Sequence, residues 1–229
     1  DAITPRTRMI IFNTPHNPTG TVMSSADLDT LELLVAETDI VLLSDEVYEH
    51  IIFDDQQHQS FNRREALAAR SFIVSSFGKT YHITGWKVGY CVAPAPLMKE
   101  FQKVHQYLTF STATPLQCAI AEFMSACPEH DEQLPAFYQQ KRDFINAQLA
   151  NSRFGITPAA GTYFQLLDYS QISELPDQAF VVELLKTAGV AAIPLSPFYA
   201  DQTQTGFIRL CFAKGENTLT AAAERLCKI

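Results

Sequence analysis

Three short apolar runs, each followed at once by a polar cluster, constrain this chain more than any other feature. Met9-Ile10-Ile11-Phe12 runs into Asn13-Thr14-Pro15-His16-Asn17-Pro18-Thr19-Gly20. Ile40 to Leu43 runs into Ser44-Asp45-Glu46-Val47-Tyr48, and Phe72-Ile73-Val74 into Ser75-Ser76-Phe77-Gly78-Lys79. Short β-branched runs of this kind are buried strands. Between the first two, Ser24-Ser25-Ala26-Asp27 is a helix start, and Leu28, Leu31, Leu34 and Val35 fall on one helical face. Strand, helix, strand is a βαβ unit, so the sheet is expected to be parallel with a right-handed crossover. Ligands of open α/β sheets bind outside the carboxyl ends of strands. The three polar clusters therefore meet at one rim.

The rest of the chain fits an α/β protein with a smaller second domain. Residues 53–71 are polar and irregular, with a short helix near Arg64–Ala69. Val88–Ala93 reads as a strand. A helix through Leu97, Phe101, Val104 and Leu108 follows it, and a second runs from Pro115 to Ala126. Composition shifts at Cys127-Pro128-Glu129-His130-Asp131. A long helix from Leu134 to about Ala150 then leads into strands at Tyr163–Leu167, Val190–Leu195 and Phe207–Phe212, with helices at Gln178–Thr187 and Glu216–Leu226. The expected division is a large domain over 1–130 and a small α+β domain over 131–229, entered by the long helix.

Charge and cysteine usage narrow the partners. The 229 residues carry a net charge of −8 with no basic run. That argues against nucleic acid or an anionic membrane as the main partner. No apolar run approaches the ~20 residues of a membrane span. Five cysteines, an odd count without CxxC spacing, fit reduced thiols of a cytoplasmic protein and no metal site. The chain opens Asp1-Ala2-Ile3 without methionine and enters a buried strand within ten residues. This abrupt opening points to a fragment or a processed chain.

The rim residues Asn17, Asp45, Tyr48, Ser76, Lys79 and Lys87, with Arg209 from the second domain, form a chemical set. A lysine attacks an aldehyde only as the free amine, a form that burial or neighbouring charge favours. With a carboxylate, a phenol and an amide beside it, it supplies what a pyridoxal phosphate ring needs. A hydroxyl and a cation suit the phosphate. Each residue also has a plainer reading. Asp45 caps a helix, Tyr48 is a core ring, Asn17 forms a turn, Ser76 caps a turn, and Lys87 is solvated. Gly78-Lys79-Thr80 lacks the upstream glycine of a nucleotide-binding P-loop. His16, His82 and His105 are expected to pack or hydrogen-bond.

Taken in order, Asn17-Pro18-Thr19-Gly20, Asp45-Glu46-Val47-Tyr48, Ser76-Phe77-Gly78-Lys79-Thr80 and Arg209-Leu210 resemble the fold-type I pyridoxal-phosphate aminotransferases over essentially the whole chain. Thr84-Gly85-Trp86-Lys87-Val88-Gly89-Tyr90, Val104-His105-Gln106-Tyr107 and Gly161-Thr162-Tyr163-Phe164 are similar to the methionine and kynurenine/glutamine aminotransferase branch, bacterial methionine aminotransferases above all. The resemblance implies that Lys79 binds the cofactor covalently and shuttles the substrate proton. It implies that Asp45 pairs with the pyridine nitrogen, and that Tyr48 and Asn17 bond the ring oxygen. Ser76 and Lys87 would contact phosphate, and Arg209, with Asn17, the substrate carboxylate. The Asn17-Pro18 bond is often cis in such relatives. Lys87 stands where many of them have arginine, and their N-terminal half, with its phosphate cup, is not in this sequence.

For substrate, the expectation is an apolar or aromatic amino acid of methionine, phenylalanine, kynurenine or glutamine type, with a 2-oxo acid as acceptor. No arginine lies between Val88 and Gln140 to take a second carboxylate, while Phe77, Tyr81, Trp86, Tyr107, Phe110, Phe198 and Tyr199 supply apolar surface. The resemblance implies a homodimer. The alternatives are a pyridoxal-phosphate carbon–sulfur β-lyase, which shares the cofactor residues, and a non-catalytic fragment of the aminotransferase. A regulatory module would bring a DNA-binding segment, and none is evident.

Overall fold

Alternation along the β-branched runs and capping at the first helix build the N-terminal sheet. The computed structural model describes residues 2–229. It divides into a first unit, Asp1–Pro15, Val22–Ile52 and Gln57–Leu134, and a second unit, His16–Thr21, Phe53–Gln56 and Pro135–Ile229.

In the first unit, β1 (Met9–Asn13), β2 (Val41–Asp45) and β3 (Ser71–Ser76) are parallel neighbours, and β4 (Gly89–Val92) closes the sheet antiparallel to β3. The register sets Asn13 opposite Asp45 and Asp45 opposite Val74, so three parallel strands end at one edge. Helix α1 (Ser25–Val35) starts with a capping box. Ser24 Oγ accepts the Asp27 N–H at 3.2 Å, and Asp27 Oδ2 accepts the Ser24 N–H at 2.7 Å. Leu28, Leu31 and Val35 then face Leu42, Phe61, Leu67 and Ile73 in one buried cluster. Short α2 (Glu65–Ala68) precedes β3. Helices α4 (Ala95–Leu108) and α5 (Thr114–Ala126) follow β4. No residue of α4 is buried, and Tyr107 and Leu108 are more than four-fifths exposed.

Two expectations about boundaries need correction. The polar cluster after β3, for which the sequence pattern indicated no helix, forms a helical turn at Phe77–Thr80, α3, with Ser76 Oγ accepting the Gly78 N–H at 3.0 Å. The long helix, α6, begins at His130, not Leu134, and runs to Gln148 with Pro135 inside it. A proline is best tolerated in a first turn, which is why the sequence pattern placed the start beside it.

The second unit is built on an antiparallel sheet in the order β5 (Gly155–Ile156), β6 (Phe164–Asp168), β8 (Phe207–Cys211), β7 (Ile193–Pro194). The expected strand at Val190–Leu195 shrinks to the two residues of β7, because only Ile193 and Pro194 pair with β8. Helices α7 (Asp177–Ala188) and α8 (Glu216–Leu226) complete it. Gly189 ends α7 in the left-handed region at φ 64°, returning its N–H to Leu185 O at 3.0 Å. The core includes Ile145, Leu149, Leu167, Ile208 and Phe212, each fully buried. Tyr169 stacks on Phe180 at 4.2 Å. Buried Arg142 makes a two-pronged pair with Asp54 at 2.6 and 2.8 Å and lies over the Phe53 ring. Among the described residues no helix is long and apolar enough to cross a membrane, and all five cysteines are free thiols.

Candidate active site

The first unit gathers Asp45, Tyr48, Ser76, Lys79 and Lys87 on the strand ends and the turns beyond them. Asp45 is the last residue of β2. Its Oδ1 accepts the Val47 N–H at 3.2 Å, and its carbonyl takes Thr14 N–H and Asn13 Nδ2, each at 3.0 Å. No helix directly follows Asp45, so it caps none; its carboxylate holds the following turn instead. Burial pushes the carboxyl pKa up, the Val47 bond counters it, and the neighbouring Glu46 charge adds to the rise. Tyr48 is 3% exposed, held in a turn in which Ile51 N–H donates to its carbonyl at 2.8 Å. Lys79 Nζ lies over the Tyr48 ring, 5.8 Å from its centre.

Ser76 does what its plainer reading says: it caps α3, and its hydroxyl also donates to Val88 O at 3.3 Å. Gly78 suits the same tight turn, since a Cβ there would stand 3.1 Å from Thr84 Cα and press that neighbour back by a few tenths of an ångström. Lys87 is exposed and closes the short 3-10 turn Thr84–Trp86 in the left-handed region, at φ 57°. Next to it, a Cβ on Gly89 would lie 2.5 Å from Ser75 O, so β4 can approach β3 only with glycine there.

Asn17 and Arg209 belong to the second unit, and they meet: Arg209 donates to Asn17 Oδ1. Arg209 sits in the middle of β8, between buried Ile208 and Leu210, so it projects to the opposite face. Its guanidinium lies 4.1 Å from the Phe164 ring centre and 5.7 Å from Phe198. The Asn17 loop is tied down by Gly20, whose carbonyl accepts the N–H groups of Ala160 and Gly161 at 3.0 and 2.9 Å. Both Thr14-Pro15 and Asn17-Pro18 are cis.

Sequence reasoning missed several polar groups. Glu46 is 1% exposed, Glu49 accepts from Ser75 Oγ at 2.6 Å and from the Tyr90 hydroxyl, and His58 binds Glu46 at 2.7 Å. The acidic repeat Asp45-Glu46-Val47-Tyr48-Glu49 was a signal that these carboxylates share one turn. Among the three histidines expected to pack or hydrogen-bond, His16 Nδ1 contacts Thr19 Oγ1 at 2.7 Å and His105 stacks on Phe101. His82 sits at φ 57° edge-on to His130.

Comparison with known proteins places the chain. The sequence pattern of the aminotransferase class I and II family matches residues 1–226. The methionine aminotransferase of Escherichia coli (strain K12) is 57% identical over 221 residues, covering 96% of this chain and 57% of that protein. Kynurenine–oxoglutarate transaminase 1 of Rattus norvegicus is 33% identical over 246 residues, covering 98% of this chain and 58% of that protein. Among solved structures, an Escherichia coli protein with an identified methionine aminotransferase function superposes with a TM-score of 0.96 at 55% identity, over 100% of this chain and 60% of that one. The N-succinyldiaminopimelate aminotransferase of Mycobacterium tuberculosis superposes with a TM-score of 0.93 at 34% identity, over 99% of this chain and 59% of that one. The chain thus spans less than two thirds of the length of the relatives it matches. It belongs to the class I and II aminotransferases, a family of pyridoxal-phosphate-dependent enzymes.

Proposed function

We propose that the protein of which this chain is part transfers the amino group of an apolar or aromatic amino acid, methionine foremost, to a 2-oxo acid. The observation that carries this is the conjunction of Asp45, Tyr48 and Lys79 on adjacent strand ends, with the Lys79 amine at the Tyr48 ring. That donor set fits pyridoxal phosphate: an amine for its aldehyde, a half-buried carboxylate for its ring nitrogen, a phenol for its ring oxygen. Ser76 and Lys87 would hold the phosphate. When bound, the ring acts as an electron sink for charge developing at the substrate Cα.

This chain's side chains do the rest. Lys79 Nζ takes the proton from the substrate Cα and returns it, as general base and then acid. Tyr48 would bond the ring oxygen, a role the resemblance gives to Asn17 as well. Arg209 presents a planar fork to the substrate carboxylate, a geometry that lysine lacks. The Phe164 and Phe198 rings beside Arg209, together with the absence of arginine from Val88 to Gln140, favour an apolar substrate side chain. The five free thiols accord with a reducing, cytoplasmic setting, and a homodimer, which the sequence resemblance implies, belongs to the same reading.

The test is direct. Full-length protein should show a visible cofactor absorption band and convert methionine with a 2-oxo acid faster than aspartate. Lys79→Ala should lose both the band and the activity. Aspartate turning over faster than methionine overturns the substrate assignment. Release of pyruvate and ammonia from cystathionine, without transamination, would make the protein a β-lyase.

A further inference from the structure

The turn that carries Asp45 and Tyr48 is fastened from behind by a buried carboxylate. Ser44 and Asp45 are successive residues of β2, so their side chains leave on opposite faces. Glu46 sides with Ser44. Its Oε1 accepts from Ser44 Oγ at 2.8 Å and from the Phe61 N–H at 3.1 Å, and its Oε2 meets His58 Nε2 at 2.7 Å. The backbone of the same residue is engaged as well. Its N–H donates to Val74 O at 2.8 Å, and its carbonyl accepts from Glu49 N–H at 2.9 Å and Ser75 Oγ at 3.3 Å.

We infer that Glu46 is a positioning residue, which through its pairing with His58 fixes the turn after β2 and with it the side chains of Asp45 and Tyr48. This rests on Asp45 and Tyr48 serving the cofactor. An ionised carboxylate with 1% exposure is costly unless paired and hydrogen-bonded, so the turn cannot shift without breaking several bonds at once. His58 comes from an irregular stretch, and its Nδ1 is buried with no hydrogen-bond partner among the described residues. The Glu46 contact therefore places the ring proton on Nε2. Burial alone would raise the Glu46 pKa, but the bonds from His58 and Ser44 outweigh it and leave the carboxyl below its ordinary value. Glu46, Glu49 and His58 bring ligand-type atoms within 4.8 Å of one another. The bonds already made to Ser44, Phe61, Ser75 and Tyr90 account for that clustering as a fastening.

The experiment compares Glu46→Ala, His58→Ala and Glu46→Gln with Ser24→Ala in full-length protein. Ser24→Ala breaks the α1 capping box in the same unit but touches no part of the turn. Two quantities are measured: amide hydrogen exchange across residues 45–51 without cofactor, and the dissociation constant and band position for pyridoxal phosphate by absorption titration. Both alanine variants should speed exchange in the turn beyond Ser24→Ala, displace the band and weaken the cofactor about tenfold or more, by analogy with metal sites whose ligands lose a supporting hydrogen bond. Glu46→Gln, which keeps the acceptor for Ser44 and Phe61, should recover most of the affinity. Alanine variants that match Ser24→Ala in exchange and affinity overturn the proposal. If they do not fold, His58→Gln decides it, and wild-type exchange and affinity in that variant overturn the proposal. A wild-type protein that takes up no pyridoxal phosphate overturns the functional proposal instead, and the exchange rates alone then decide whether Glu46 fixes the turn.

Discussion

The two units hold their polar residues in different ways. In the first, Asp45, Tyr48, Ser76 and Lys79 sit at or just past strand ends, on turns. Those turns are short and fastened by side chains, Glu46 to His58 and Glu49 to Ser75 and Tyr90. In the second, Arg209 stands mid-strand, with ladder pairing to β6 on one side and β7 on the other. A strand fixes a side chain by the backbone ladder; a turn needs extra bonds to do so. The difference teaches that side-chain substitutions behind the site should disturb the first unit's groups far more than those behind Arg209. The first unit leaves Ile11, Val104, Tyr107, Leu108 and Phe110 more than half exposed, as the second leaves Leu185.

Four substitutions test that contrast, in descending order of effect. Arg209→Ala should lower kcat/KM for methionine about a hundredfold or more, since each bond to a charged group is worth ~1.5–3 kcal/mol, with the visible band unchanged. Steady-state kinetics and a spectrum on one sample check this, and a lost band would mean that Arg209 also holds the cofactor site. Leu42→Ala empties a fully buried position in β2 and should cost about 2–5 kcal/mol in denaturant melts. A smaller loss would show that the parallel sheet can collapse around the gap.

His58→Ala leaves buried Glu46 without its partner and should cost about 3 kcal/mol at neutral pH. Here the sign is worked out from Glu46. Its folded pKa lies below the ordinary 4.5, so the wild type keeps this stabilisation above that value and loses it as pH falls through the folded pKa. Without His58, burial dominates and raises the pKa, so the carboxyl protonates readily and the penalty shrinks in acid. Melts from pH 7 down to pH 4 should thus show the wild type and variant converging. Parallel curves would remove Glu46 as the cause. Ser24→Ala should cost about 1 kcal/mol by loss of the cap, with no change in cofactor affinity, and an effect on affinity would spread the site's support to α1.

Much of this was legible from residue order. The βαβ pattern led directly to the parallel order β1, β2, β3, and so to Asp45 and Lys79 leaving neighbouring strand ends. The turn α3 was not legible, because four residues carry no helical period. Strand β5 was hidden for the same reason, having only two residues. The Glu46–His58 pair escaped because a glutamate in a polar run looks solvated, and its partner lies in a stretch without periodicity. Only the fold shows that Ser44, Glu46 and Phe61 share a buried face. Ser76 illustrates a further point: its capping bond to Gly78 uses the hydroxyl only as acceptor, so the expected phosphate contact would compete not with the cap but with the proton now given to Val88 O at 3.3 Å.

Lys87 carries a lesson for anyone planning a mutational scan. Its backbone lies in the left-handed region, at φ 57° and ψ 39°, a conformation costing an ordinary residue roughly 1–2 kcal/mol. Lys87→Ala keeps that strain and deletes the ammonium. Lys87→Gly deletes both at once and should raise the melting temperature even though, on the proposed phosphate role, it weakens cofactor retention. Thermal stability and cofactor retention would then move in opposite directions at a single position. Lys87→Arg holds backbone cost and charge constant and exchanges only the head group, so it is the one swap here whose phenotype has a single interpretation.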